Sequence, residues 1–482
     1  MNQFNIEEKS ILELQKAMEM NIITSKELVI MYLDRIANID HAGPNLNSVL
    51  EVNPDAIQIA EALDYERSLQ GKRSNLHGIP ILVKDNICTS DKMHTSAGSL
   101  ALKDSYSKED AFLIKQLRKA GAVILGKANM TEWANFMTDS MPAGYSSRGG
   151  QVLNPYGIGE FGPGGSSSGS GVAATANLCT VAIGTETSGS VIDPASNLSL
   201  VGIKPTIGLV SRYGIIPASH MQDTAGPMGR SVEDAVILLD EMIGYDENDP
   251  ITIYSKDKDK TNYTQFLNSN GLSNIRIGVP RDYFFENITE EEKDLFDQEL
   301  KILKQLGIEI VENIKIEHAK ELNSKTAVLC EFIADLNAYL AKLSINIPIH
   351  SVSELIKYHE ENADTMLKYG QVYLTEYSKD IYKLTCNEYV SNRKKDIELS
   401  RNGIDVVLKN YNLDALVFIG ESCAEIVNKA GYPEITVPAG ILTKGKPFGI
   451  TFVAEAFSES KLIKIAYSYE QLSKKRVAPN LK

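Results

Sequence analysis

Apolar positions recur at helical spacing at the start of the chain and later gather into short unbroken runs. Ile11, Leu14 and Met18 fall on one face of a helix expected over residues 6–20. Thr24-Ser-Lys-Glu27 has the form of a capping box, and Leu28, Met31, Tyr32 and Ile36 stripe the helix it opens. Residues 46–52 read as a strand, and Asn53-Pro54 starts a helix reaching to about Gln70. A turn at 76–79 then leads into the buried run Pro80-Ile-Leu-Val-Lys84, and a helix over 109–119 stops at Gly121 before strand 122–125. Alternation of amphipathic helices with wholly apolar strands predicts an α/β fold whose sheet is covered on both faces.

The pattern continues past the middle of the chain. Strands are expected at 178–183, 201–204, 209–210, 275–279 and 308–311, with helices at 231–243 and 290–306. Residues 246–260 are polar and charged and read as a solvated surface linker. From 319 to 410 the spacing is almost entirely helical, with Tyr369, Tyr373 and Tyr377 four residues apart. That stripe reads first as a packed face, with a roof over a cleft as the functional alternative. Strands return at 415–419, 435–437 and 448–453, followed by a helix from Ser458. One domain over 1–482 is expected: a helical part at 1–70, a core at 71–245, a helical excursion at 319–410 and a return to the core at 411–482.

One stretch breaks the pattern. Between Gly157 and Gly171 lie seven glycines and four serines, followed by an alanine-rich segment and a second turn, Thr187-Ser-Gly-Ser190. Glycine permits unusual backbone conformations and leaves N–H groups uncovered, so such loops can aim hydroxyls and donors at one atom. A flexible linker is excluded by the apolar helix and strand that follow at once. Gly165-Ser-Ser167-Ser-Gly169 matches a hydrolase nucleophile elbow, but no strand precedes it. Gly184 and Gly189 have phosphate-loop spacing before Ser190, but the loop's lysine is missing.

The order GGSSSGSG, GTETSGS, GIKPT, with Pro80-Ile-Leu-Val-Lys84-Asp-Asn upstream, resembles the amidase signature family. Ser166 and Ser190 stand 24 positions apart, as that family's paired serines do. The resemblance is close over 25–240 and looser over 412–472. It implies a three-layer α/β/α fold around a large mixed sheet, and it assigns Ser190 as nucleophile, Ser166 as bridging serine and Lys84 as base. It also implies an oxyanion site built from the backbone N–H groups of Thr187, Ser188, Gly189 and Ser190. Ser167 either supports the relay or only shapes the loop.

Those assignments suit the chemistry of amide hydrolysis. A serine hydroxyl near neutral pH must pass its proton onward, and Ser166 can take it while handing its own to Lys84. Lys84 must then rest neutral, so its pKa must fall from about 10.4 to near 7, roughly 4 kcal/mol of differential stabilisation. Burial behind Ile81-Leu82-Val83 is the expected source, with Asp85 directed to the opposite face by strand alternation.

One departure and one closer likeness narrow the substrate. Glutaminase-type members carry a carboxylate-binding arginine two residues after the nucleophile, where this chain has Ile192. Ser96-Ala-Gly-Ser, Glu132-Trp-Ala-Asn-Phe136 and Asp223-Thr-Ala-Gly-Pro-Met resemble peptide amidases, which remove C-terminal amides as ammonia. The resemblance therefore implies a hydrolase of neutral carboxamides, with a general acylamidase or an ammonia-delivering component of a larger complex as alternatives. Asp193 stays open between lining the leaving-group side and bonding backbone.

Composition adds exclusions. A net charge of −14 disfavours nucleic-acid binding. Five cysteines scattered singly suit reduced thiols in the cytoplasm, and seven dispersed histidines show no metal-ligand spacing. No cofactor, metal, leader or membrane span is expected, and the partner is a small-molecule or peptide amide substrate.

Overall fold

The computed structural model describes residues 4–257, 261–269 and 272–481. Its strands are β1 Val49–Val52, β2 Pro80–Lys84, β3 Val123–Ala128, β4 Tyr145–Ser146, β5 Gly150–Gln151, β6 Val181–Glu186 and β7 Val201–Lys204, then β8 Thr224–Gly229, β9 Arg276–Pro280, β10 Glu309–Ile314, β11 Ala415–Ile419, β12 Glu434–Ile441 and β13 Pro447–Val453. Eleven of them form one mixed sheet in the order β1-β3-β2-β6-β8-β7-β12-β13-β11-β9-β10, while β4 and β5 pair separately. Every residue of β2, β3, β6, β7, β8, β11 and β13 is buried. A sheet buried on both faces must carry packed layers on each, which is why burial in these strands is continuous instead of alternating.

Parallel pairing of β2 with β6 places Val83 opposite Ile183. The two strands therefore end side by side, and the chain leaving β6 enters the Thr187–Ser190 turn next to the end of Lys84's strand. Local capping follows the sequence. Thr24 and Glu27 form the capping box on helix Ser25–Arg35, and Ser10 with Glu13 forms another on helix Ile11–Glu19. Gly121 adopts φ +90° and ends helix Phe112–Ala120 in the left-handed region that a side chain resists.

The helices between 319 and 410 pack as a second apolar cluster. Phe332, Leu336, Leu340 and Leu374 meet Met130, Trp133 and Met137 from the loops beyond β3. The tyrosine stripe is broken, because the helix runs only from Val372 to Tyr377 and Tyr369 precedes it. Tyr369 packs edge-on against Tyr145 with centroids 4.8 Å apart, and Tyr377 against Tyr382 at 4.5 Å. Both are packing contacts.

The surface linker is a correction. Over its described part, 246–257, Asp246, Asp249, Thr252 and Ser255 are buried; Lys258 to Lys260 lie outside the described residues. Ser211 Oγ donates to Asp246 at 2.6 Å, and the Arg212 guanidinium donates to both oxygens of Asp249 at 2.6 and 2.9 Å. The carboxylates that made the segment look solvated are instead holding the 211–212 loop. No strand forms at 209–210 either; Val210 makes only an isolated bridge to Ile207. Among the described residues no helix is long and apolar enough to cross a membrane.

Candidate active site

Lys84 ends β2 with its side chain fully buried. Its Nζ lies 2.8 Å from Ser166 Oγ, 2.9 Å from Ser167 Oγ and 3.2 Å from the Thr185 carbonyl. Ser166 Oγ in turn lies 3.0 Å from Ser190 Oγ. Residues 82 and 24 positions apart thus form one chain of contacts, Lys84 to Ser166 to Ser190. The peptide between Gly165 and Ser166 is cis.

The two serines beside Lys84 differ in what their protons can do. Ser167 Oγ donates to the Thr185 carbonyl at 3.1 Å and accepts from the Thr185 N–H at 3.2 Å, so it is tied to the end of β6. Among the described residues, Ser166 Oγ makes side-chain hydrogen bonds only with Lys84 and Ser190. A proton can therefore travel through Ser166, while Ser167 braces the amine. Lys84 is suited to both charge states. As a neutral amine it can donate to Ser167 and Thr185 and accept from Ser166; as an ammonium it has three donors for the same three acceptors.

Burial pushes the Lys84 amine down to about 7, because the charged form loses its water; the carboxylates of Glu186 and Asp223 oppose the fall. Asp85 lies on the other side of the strand, where it accepts from Ser96 Oγ and from the Gly98 N–H at 2.9 Å. A base whose pKa is about 7 is protonated below that value and free above it. The rate should rise about tenfold per pH unit in the acid range and level off above about 7. Glu186→Gln removes a charge that favours the ammonium, so the acid limb should move to lower pH while turnover falls with the loosened turn. A pH–rate profile of both proteins checks the sign; a limb moving to higher pH contradicts it.

Glu186 is the residue that sequence reasoning missed. Its carboxylate accepts the N–H groups of Gly189 at 2.6 Å, of Ile192 at 3.2 Å and of Val191, and Asn428 Nδ2 donates to it at 3.1 Å. Charge-assisted bonds of this kind fold the turn around the carboxylate. The signal available was a lone carboxylate ending the apolar strand Val181–Glu186, three residues before a glycine.

Of the four N–H groups assigned to the oxyanion by resemblance, the one on Gly189 is engaged by Glu186. Those of Ser188 and Ser190 meet no protein acceptor among the described residues. Thr187 Oγ1 donates to Asp223 at 2.6 Å, which anchors the start of the turn. Asp193 accepts the Gly165 N–H at 2.8 Å, and its own N–H donates to the Gly189 carbonyl at 2.8 Å. Asp193 thus bonds the backbone of both serine segments at once. Ile192 is fully buried and presents nothing to a ligand.

A cavity of about 640 Å³ is lined by Thr185, Thr187 and Asp223 together with Ile216, Tyr213 and Tyr339. Helix Thr326–Leu340 also lines it, so the helical excursion does border the cavity, through Tyr339 and Asp335 and not through the tyrosine stripe. Ser190 is 6% exposed and Ser166 1%, so both hydroxyls lie in a nearly closed place. Among the described residues no cluster of three or more His, Cys, Asp or Glu could hold a metal.

The solved native peptide amidase from Stenotrophomonas maltophilia shares this architecture, with a TM-score of 0.94 and 40% identity over 100% of both chains. A chain from Arabidopsis thaliana named as a probable amidase is 41% identical over 99% of this chain and 92% of its own length. A glutamyl-tRNA(Gln) amidotransferase chain of Coxiella burnetii is more distant, 32% identical over 96% of this chain and 97% of its own. The protein is an amide-hydrolysing α/β enzyme with the amidase-signature fold. It belongs to the Amidase family, whose model matches residues 27–424.

Proposed function

We propose that the enzyme hydrolyses neutral carboxamides, foremost the C-terminal amides of peptides, with release of ammonia and through an acyl-enzyme on Ser190. The observation that carries this reading is the buried chain Lys84–Ser166–Ser190 with spacings of 2.8 and 3.0 Å. Ser190 Oγ attacks the amide carbon; its proton passes to Ser166 Oγ as the Ser166 proton passes to Lys84 Nζ. The carbonyl electrons become an oxyanion held by the Ser188 and Ser190 N–H groups, each donor worth up to ~3–4 kcal/mol in the transition state. When the tetrahedral adduct collapses, the C–N bond breaks and the nitrogen takes a proton back along the relay, leaving as ammonia. Water then attacks the ester, sends its proton along the same path, and the acid departs as Ser190 recovers its own.

Substrate choice rests on charge. With Ile192 buried at the position of a carboxylate-binding arginine, an anion beside the scissile bond would sit unpaired, at a cost of several kcal/mol. The resemblance to the solved peptide amidase supports the same choice. The helical excursion at 319–410 then acts as the roof of the cleft, within a single cytoplasmic domain. Ammonia release should be faster from an N-acylated dipeptide amide than from a simple aliphatic amide, and slowest from glutamine. Preference for glutamine would point to an amidotransferase-type role, and equal rates on the first two to a general acylamidase.

A further inference from the structure

A buried path joins the helical excursion to the carbonyl side of the catalytic turn. Gln222, 1% exposed, donates from Nε2 to the Thr187 carbonyl at 3.0 Å. Its Oε1 accepts from Arg393 NH1 at 2.8 Å. Arg393 stands on helix Asn387–Asn410, and its Nε donates to Glu331 Oε1 at 2.8 Å, on helix Thr326–Leu340. Glu331 is fully buried and is also held by Tyr389 Oη at 2.9 Å and by Ser219 Oγ. Two helices of the excursion thus meet on a guanidinium whose NH1, also 3.8 Å from Asp396 Oδ2, reaches Gln222.

The chemistry of these groups fixes the direction of the path. Arginine has donors only, so the Gln222 carbonyl must face Arg393 and its amide NH2 must face Thr187. The Thr187–Ser188 peptide is not among the cis bonds. In a trans peptide the C=O and N–H point in opposite directions. Holding the Thr187 carbonyl toward Gln222 therefore holds the Ser188 N–H away from it, where it meets no protein acceptor among the described residues. We propose that Arg393, acting through Gln222, is a positioning residue that aims the Ser188 N–H at the oxyanion, so that the helical excursion completes the catalytic turn as well as bordering the cavity. This rests on the reading of Ser190 as nucleophile.

Gln222→Glu is the discriminating substitution. A carboxylate of the same shape still pairs with Arg393, which preserves the packing, but it cannot donate to the Thr187 carbonyl. Removing an oxyanion donor outright costs about 10²–10³ in turnover, and a donor left in place but misdirected should cost about 10–100-fold in kcat. KM for the dipeptide amide should stay within about twofold. Binding of a peptide aldehyde, whose hemiacetal oxygen occupies the oxyanion site, should weaken in parallel with kcat. Arg393→Met should reproduce the loss, and Arg393→Lys should restore part of it. Fluorophosphonate labelling of the unmodified enzyme on a residue other than Ser190 would remove the nucleophile reading itself. If the label is on Ser190, the inference is overturned should Gln222→Glu, with native melting, keep kcat within about twofold or change KM alone.

Discussion

Ser190→Ala is expected to reduce turnover by about 10⁴–10⁶ while the chain stays folded, the scale seen when the nucleophile of a serine relay is removed. The size of the effect follows from the geometry. Ser190 Oγ is the atom at the end of the relay, 3.0 Å from Ser166 Oγ, and among the described residues no other hydroxyl is tied to Lys84 through Ser166. The small effect on folding follows too. Ser190 Oγ makes one side-chain hydrogen bond, to Ser166, so its loss costs about 1 kcal/mol. Ammonia release measured beside a melting curve separates the two; a Ser190→Ala protein that still turns over at more than about a hundredth of the parent rate contradicts the assignment.

Lys84→Met should be nearly as damaging to activity, because among the described residues nothing else near Ser166 can receive its proton. Methionine matches the length of lysine and suits a fully buried position. The amine it replaces is largely desolvated and about half neutral near pH 7, so removing it releases much of the burial penalty on the charged form. Ser167 Oγ retains the Thr185 carbonyl as acceptor and the Thr185 N–H as donor, and the change in stability should stay within about 1–2 kcal/mol. The linkage has a definite sign. A lysine depressed in the folded state binds fewer protons there than in the unfolded chain, so it makes stability rise with pH between about 7 and 10.5. Lys84→Met should flatten that part of the stability profile as it abolishes turnover. A variant retaining near-parent activity at neutral pH would show that Ser166 passes its proton elsewhere.

Lys84, Ser166 and Ser190 were legible in the sequence because each sits in a short motif whose residue types and order are constrained together. The fold was legible for a similar reason: strands buried on both faces show as short apolar runs, and 81–83 and 181–183 are such runs. What the sequence did not display were long-range polar pairings. Glu186 meets Asn428 from 242 positions away, and Gln222 meets Arg393 from 171. Neither spacing leaves a local trace, since a buried carboxylate or guanidinium looks like a surface charge until its partner is placed. Asp246 and Asp249 misled for that reason, reading as solvated when they anchor Ser211 and Arg212. The Gly189 N–H looked free because nothing in the sequence gave the Glu186 carboxylate a role in folding the turn.

The relay is tested most directly by treating the purified enzyme with a fluorophosphonate at pH 8 and locating the adduct by peptide mass spectrometry. A single phosphonylated residue, Ser190, is expected, formed in step with loss of ammonia release, absent from Ser190→Ala and slowed at least a hundredfold in Lys84→Met, about the scale of lost general-base assistance. An adduct on Ser166 or Ser167, or one that forms on Ser190 at an unchanged rate without Lys84, would contradict the relay.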